Sequence, residues 1–223
     1  HVVPFALWLG LMALLDFLGG PAAWKYALRV LLCGGLLVWL RPWRWYAPPA
    51  WRQAPIALLA GLFVFVLWVA PESSLAARWP HLQDVYLKWA VFPLGQISAA
   101  KTASPYAPEY AGWFLCLVRL AGSAFVIAVI EEFFWRGFLY RWMLGRSFLD
   151  VDAGQKSDVW VVAGLCLAFG LEHDRWLAGA LAGYVYLMLY IRTRNLWSAI
   201  IAHVATNLLL GLYVLKTGAY SFW

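Results

Sequence analysis

The chain has 223 residues, of which 64% are hydrophobic and only 13% charged, with 16 tryptophans and a mean hydropathy of +0.71. That composition excludes an ordinary soluble domain. The net charge of +6 sits mostly beside the ends of apolar runs, which argues for membrane topology and against nucleic-acid binding.

A helix needs about 20 largely apolar residues to cross ~30 Å of hydrocarbon. The apolar runs predict about seven spans, with six to eight as the range, near 2–18, 24–40, 55–71, 111–130, 159–171, 176–190 and 196–215. The expected fold is therefore all-α, a polytopic transmembrane helical bundle. The first run has no basic residues before it, and the GGPAAW that follows resembles a cleavage site only loosely, which argues against a signal peptide. The chain opens on a histidine, so the natural sequence is expected to begin further upstream.

After the second span, residues 41–54 (RPWRWYAPPAWRQA) form a basic, aromatic connection of the kind found at a membrane interface. The third span leads into the longest polar stretch, 72–110, whose middle, HLQDVYLKWAVF, alternates enough to lie on the membrane as an amphipathic helix. A linker with an interfacial helix is the simpler reading, and a cap facing the substrate is the alternative. We expect one domain, with 1–71 as scaffold spans, 72–110 as interfacial linker and 111–223 as catalytic core. The fifth and sixth spans are short, so they are expected to be shallow, tilted or buried in the bundle. Basic residues cluster in alternate loops: Arg41, Arg44 and Arg52, then Arg141, Arg146 and Lys156, then Arg192 and Arg194. The positive-inside rule assigns all three loops to the cytoplasm. Cys33, Cys116 and Cys166 fall inside apolar runs without C-x-x-C spacing, as expected of packing residues.

Ionisable residues at membrane depth are expensive, at ~2.5–3.5 kcal/mol each or more, so each needs a partner, water or a function. Asp16, Lys25, Arg29 and Arg119 lie in or near span ends, where snorkelling, or pairing of Asp16 with an arginine, accounts for them. Glu131, Glu132, Arg136, His173, His203 and Asn207 form a different set, because they bring acid, base and amide types to three segments. On a helix Glu132 and Arg136 are four apart and form an ion pair in the favourable order. Glu131 is turned about 100° away from that pair and left without a partner. His203 and Asn207 are also four apart and project into one space.

Hydrolysis of a peptide bond needs a base for the attacking water and donors for the developing oxyanion. Glu131 in an apolar site is a competent base, with His173 helping to orient or deprotonate the water. His203 and Asn207 supply donors for the oxyanion. A zinc site built from the two histidines and a carboxylate is the alternative, although the spacing differs from H-E-x-x-H, and the expectation is that no metal or other cofactor is used.

EEFFWR fits E-E-x-x-x-R, FGLEH fits F-x-x-x-H through Phe169 and His173, and HVATN fits H-x-x-x-N through His203 and Asn207. In this order, over about 77 residues, the three motifs resemble the CPBP family of intramembrane proteases, also called Abi or type II CAAX prenyl endopeptidases. The resemblance covers roughly 111–215. It implies catalytic groups gathered in an intramembrane cavity, with Glu131 and His173 activating water, His203 and Asn207 forming the oxyanion site, and Glu132 and Arg136 in support. It further implies an endopeptidase acting near the hydrophobic or lipidated C-terminus of a membrane-associated protein. The tryptophan-rich first half looks similar to bacterial members associated with exosortase-type sorting, which makes a bacterial inner membrane the expected location. A non-proteolytic membrane adaptor of the same fold, and transport, are the competing classes, and the oligomeric state is left open.

One geometric condition follows. A simple span count puts His203 about seven residues into the last span and His173 at the opposite end of the fifth, so the two histidines meet only if spans five and six are shallow.

Overall fold

The computed structural model describes residues 1–97, 103–154 and 158–223. Among these residues there are eight principal helices and no strand. They are α1 (Val2–Phe17), α2 (Ala22–Leu40), α3 (Ala54–Val69), α4 (Pro80–Trp89), α5 (Pro108–Leu144), α6 (Val159–Leu171), α7 (Trp176–Thr193) and α8 (Leu196–Thr217). All but α4 coincide with the expected spans to within a few residues, except that the fourth runs on to Leu144. Four segments are long and apolar enough to cross a membrane: Ala22–Trp45, Trp51–Arg78, Pro108–Leu144 and Leu196–Thr217. The chain is a multi-pass membrane protein.

The fourth span outgrows its hydropathy limit because its charges are neutralised inside the bundle. Helix α5 has 37 residues, is broken near its start at Gly112, where φ is +76°, and widens into π-helical turns at Gly122–Ile127 and Phe133–Tyr140. Such turns are uncommon and concentrate at functional sites. Glu131 and Glu132 lie between the two wide turns, in the middle of the helix. Snorkelling from a helix end therefore does not explain them.

Close backbone approaches bring α6 and α7 onto this helix. A Cβ on Gly170 would sit 2.4 Å from the Trp176 carbonyl oxygen, and one on Gly179 would sit 3.0 Å from the Gly170 Cα. Gly183 similarly admits the Phe169 ring. The small residues of α7 thus pack helices within this chain. Helix α3 presses against α8 at Gly61, where a Cβ would meet the Ala202 carbonyl oxygen at 2.5 Å.

The bundle has two distinct ends. The three basic loops meet at one: Arg194 pairs with Asp152 at 3.5 Å, Asn195 donates to the Pro48 carbonyl and Gln53 to that of Thr193. Lys156 lies outside the described residues. At the other end Arg175 donates to both carboxylate oxygens of Glu72 and to the Ser221 carbonyl. The amphipathic helix α4 docks here rather than floating free, since Trp176 Nε1 donates to the Trp89 carbonyl and the Phe92 amide to that of Asp174.

Candidate active site

Each motif residue arrives at the site by a different local route. Glu132 and Arg136 are one turn apart on α5 and form the expected ion pair at 3.0 Å, with 0% and 1% side-chain exposure. Arg136 also donates to the Gly183 carbonyl at 2.9 Å and lies over the Phe169 ring at 4.5 Å. One carboxylate and a flanking ring, both held by packed helices, thus fix the guanidinium. The same Glu132 oxygen accepts a second bond from His203 Nδ1 at 2.9 Å. Glu132 is a bridge between α5 and α8, with Arg136 below it and His203 across from it.

His203 stacks on Tyr186, with ring centroids 4.8 Å apart and 22° between planes. Tyr186 is itself pinned, because its hydroxyl donates to Thr206 Oγ1 at 2.7 Å. The other face of the imidazole turns Nε2 toward Glu131, whose Oε2 lies 3.7 Å away. Glu131 thus has the His203 ring beside it, as a shared cavity requires, at a distance that exceeds that of a hydrogen bond. Asn207, one turn beyond His203, donates Nδ2 to the Ser123 carbonyl at 2.9 Å, within the first wide turn of α5. That bond holds the amide against the helix carrying Glu131.

His173 comes from the turn after α6. Helix α6 has only thirteen residues and rises ~20 Å, short of a full crossing. The fifth span is short, as expected, whereas the sixth, α7, has 18 residues and rises ~27 Å, longer than the expected 176–190. His173 Nδ1 bonds the Phe169 carbonyl at 2.8 Å. Since a carbonyl only accepts, Nδ1 carries the proton and Nε2 is left with a lone pair. The Phe169 ring stands between the histidines, 4.9 Å from His173 and 6.0 Å from His203.

Glu131, His173, His203 and Asn207 all line one cavity of about 400 Å³, while Glu132 and Arg136 are packed behind it. The cavity runs from the middle of the helices to the end where 172–175 and 221–223 lie, opposite the basic loops. Its wall is not confined to 111–223, because Trp8, Tyr26, Arg29 and Trp68 contribute from the first three helices. Among the described residues, no three His, Cys, Asp or Glu side chains are grouped to hold a metal ion.

Residues 112–209 match the family of type II CAAX prenyl endopeptidases described as Rce1-like, a segment that contains all six motif residues. Over that segment the chain is similar to the Rce1-like endopeptidases. No curated protein and no solved structure matched the chain. The Rce1-like match makes the protein a membrane peptidase, and the cavity sits within the matched helices and is completed by α1–α3 outside them.

Several residues of the site escaped the motif reading. Glu172 lines the cavity and accepts from Trp135 Nε1 at 3.1 Å, a contact foreshadowed by Trp135 standing four residues after Glu131 on the same face. Tyr186, Thr206 and Ser123 had no comparable signal, since each acts through a partner distant in the chain. Arg29 and Arg119 were expected to snorkel and Asp16 to pair with an arginine. Instead both arginines line the cavity, and Asp16 is exposed.

Proposed function

We propose that the cavity hydrolyses a peptide bond near the C-terminus of a membrane-associated or lipidated protein, by water held between Glu131 and His173. The observation that carries this reading is the convergence on one cavity of a carboxylate, an imidazole with a free Nε2 lone pair, and an imidazole and amide braced by Glu132 and Ser123.

In this mechanism the water donates one hydrogen bond to His173 Nε2 and gives its proton to Glu131 as its oxygen attacks the carbonyl carbon. The oxyanion that forms accepts from the second N–H of Asn207 and from a ring N–H of His203. Collapse breaks the C–N bond, and the proton on Glu131 passes to the leaving amine. The second proton of the water leaves by way of His173 Nε2, so the products are a new carboxylate and a protonated amine. Glu132 and Arg136 touch no reacting atom and act as positioning residues.

The charge distribution supports an inward placement of the three basic loops, with the substrate reaching the cavity from the opposite side. No step of the mechanism requires a metal, which keeps zinc as the rival to be tested. Residues 1–71 serve as scaffold and cavity wall, 72–110 as interfacial linker and cover, and 111–223 as catalytic core.

The test is cleavage of hydrophobic C-terminal peptides, prenylated and unprenylated, by purified protein in lipid, followed by mass spectrometry. Wild type is expected to cut and Glu131→Ala and His173→Ala are expected to be inactive. Undiminished cutting by either variant refutes the assignment, and activity removed by a chelator and restored by zinc replaces this mechanism with a metal one.

A further inference from the structure

Two cations at the cavity wall have no part in the mechanism above. Arg29 of α2 is only 9% exposed, in the interior of its helix, and its Nη1 has no hydrogen-bond partner. Arg119 of α5 likewise leaves its Nε buried and unsatisfied. Among the described residues neither guanidinium is paired with a carboxylate. What surrounds them is aromatic. Arg29 lies 4.8 Å from the Trp8 ring and 5.4 Å from that of Tyr26, and Arg119 lies 4.4 Å from Tyr26 and 4.2 Å from Tyr106. The two cations thus share Tyr26 as a common platform. Ring faces orient a guanidinium and leave its N–H edge free, which is the edge that binds an anion. Buried charge without a counter-charge is costly, so two guanidiniums with free N–H edges suit an anion.

Its position relative to Glu131 says which anion fits. Arg119, Ser123, Ile127 and Glu131 recur every four residues along α5, and all four line the same cavity. Twelve residues correspond to about 18 Å of helix at most, since the wide turn shortens the rise. An extended peptide covers about 3.3–3.6 Å per residue. A carboxylate on the arginines therefore lies no more than about five residues from a carbonyl at Glu131. The wall between is largely apolar, with Met12, Ile127 and Leu210 facing the path.

We propose that Arg29 and Arg119 bind the free C-terminal carboxylate of the substrate, so that the enzyme measures its cut from the chain end across a short apolar stretch. This rests on the hydrolytic reading for its distance argument. The anion site itself rests on the unpaired guanidiniums alone. The shared chemistry with a lipid phosphate is that of an oxyanion meeting a guanidinium, and the experiment separates the two.

The experiment uses full-length Glu131→Gln protein in phosphatidylcholine nanodiscs, with a fluorescent ten-residue peptide ending in four apolar residues, made as the free acid and as the carboxamide. The free acid is expected to bind at least tenfold more tightly, and Arg29→Gln and Arg119→Gln are each expected to bring the acid-to-amide ratio toward one. Arg29→Lys retains part of the preference. Each ratio is taken on one protein sample, so a loss of folded material affects both peptides equally. Equal binding of acid and amide, or a preference that survives both glutamine variants, overturns the proposal. So does a preference abolished by substituting phosphatidylglycerol for phosphatidylcholine, which assigns the site to the headgroup phosphate of an anionic lipid, uncompensated by choline. Wild-type cleavage is measured on the same pair of peptides. Cleavage of both at equal KM sinks the carboxylate site and leaves hydrolysis standing, whereas an arginine-dependent binding preference with no cleavage does the reverse.

Discussion

Replacing Glu131 and Glu132 one at a time by glutamine is expected to separate chemistry from stability, although the two residues are adjacent. Glu132 is fully buried, and one of its oxygens serves both Arg136 at 3.0 Å and His203 at 2.9 Å. Removing its charge leaves Arg136, itself 1% exposed, as an uncompensated cation. Breaking such a pair costs about 3–5 kcal/mol. For a chain of this size each kcal/mol corresponds to about 2–4 °C, so Glu132→Gln is expected to lower Tm by about 6–20 °C. Glu131 has only the 3.7 Å contact with His203 and faces the cavity. Loss of that contact is offset by relief of carboxylate desolvation, which keeps Glu131→Gln within about 1 kcal/mol of wild type, or about 4 °C. Its activity is expected to fall by about 10²–10⁴, the contribution of a positioned base. Thermal unfolding in detergent followed by tryptophan fluorescence, run beside peptide cleavage, measures both quantities. Equal Tm losses in the two variants, or full activity in Glu131→Gln, would refute the division of labour between the two carboxylates.

Other substitutions probe the remaining geometry. Asn207→Ala is expected to lower kcat by about 10²–10³ with little change in KM, as for loss of an oxyanion donor, and steady-state kinetics on one peptide checks the split. Tyr186→Phe removes the hydroxyl bond to Thr206 but keeps the ring on His203, so it should cost about 0.5–1.5 kcal/mol by thermal unfolding and retain cleavage activity. Gly170→Ala forces a methyl group against the Trp176 carbonyl, separating α6 from α7 and shifting His173. A destabilisation of about 1–3 kcal/mol together with reduced kcat is expected, and a variant with wild-type kcat would show that His173 tolerates the shift.

The sequence exposed the candidate site residues better than the path that connects them. Glu132 with Arg136, and His203 with Asn207, were legible because spacing of four within one helix places side chains on one face whatever the tertiary fold. The end of the fourth span was misplaced for a related reason: hydropathy falls at Glu131, Glu132 and Arg136, yet these charges are satisfied inside the bundle and the helix continues to Leu144. The shallow fifth span followed from requiring His173 and His203 to meet. Arg29 and Arg119 were misread as snorkelling residues, since only the packing of α2 against α5 brings them to the shared ring of Tyr26, 93 residues from Arg119. No local pattern encodes that meeting.

The shortness of α6 has a consequence beyond the chain. At 13 residues it reaches only ~20 Å, against ~30 Å of hydrocarbon. Lipid beside it meets a hydrophobic mismatch, which thinning of the bilayer on that flank relieves. The cavity mouth then lies closer to the headgroups than a full-length bundle would place it, so turnover becomes a function of acyl-chain length, and the host membrane's thickness acts as a setting on the enzyme.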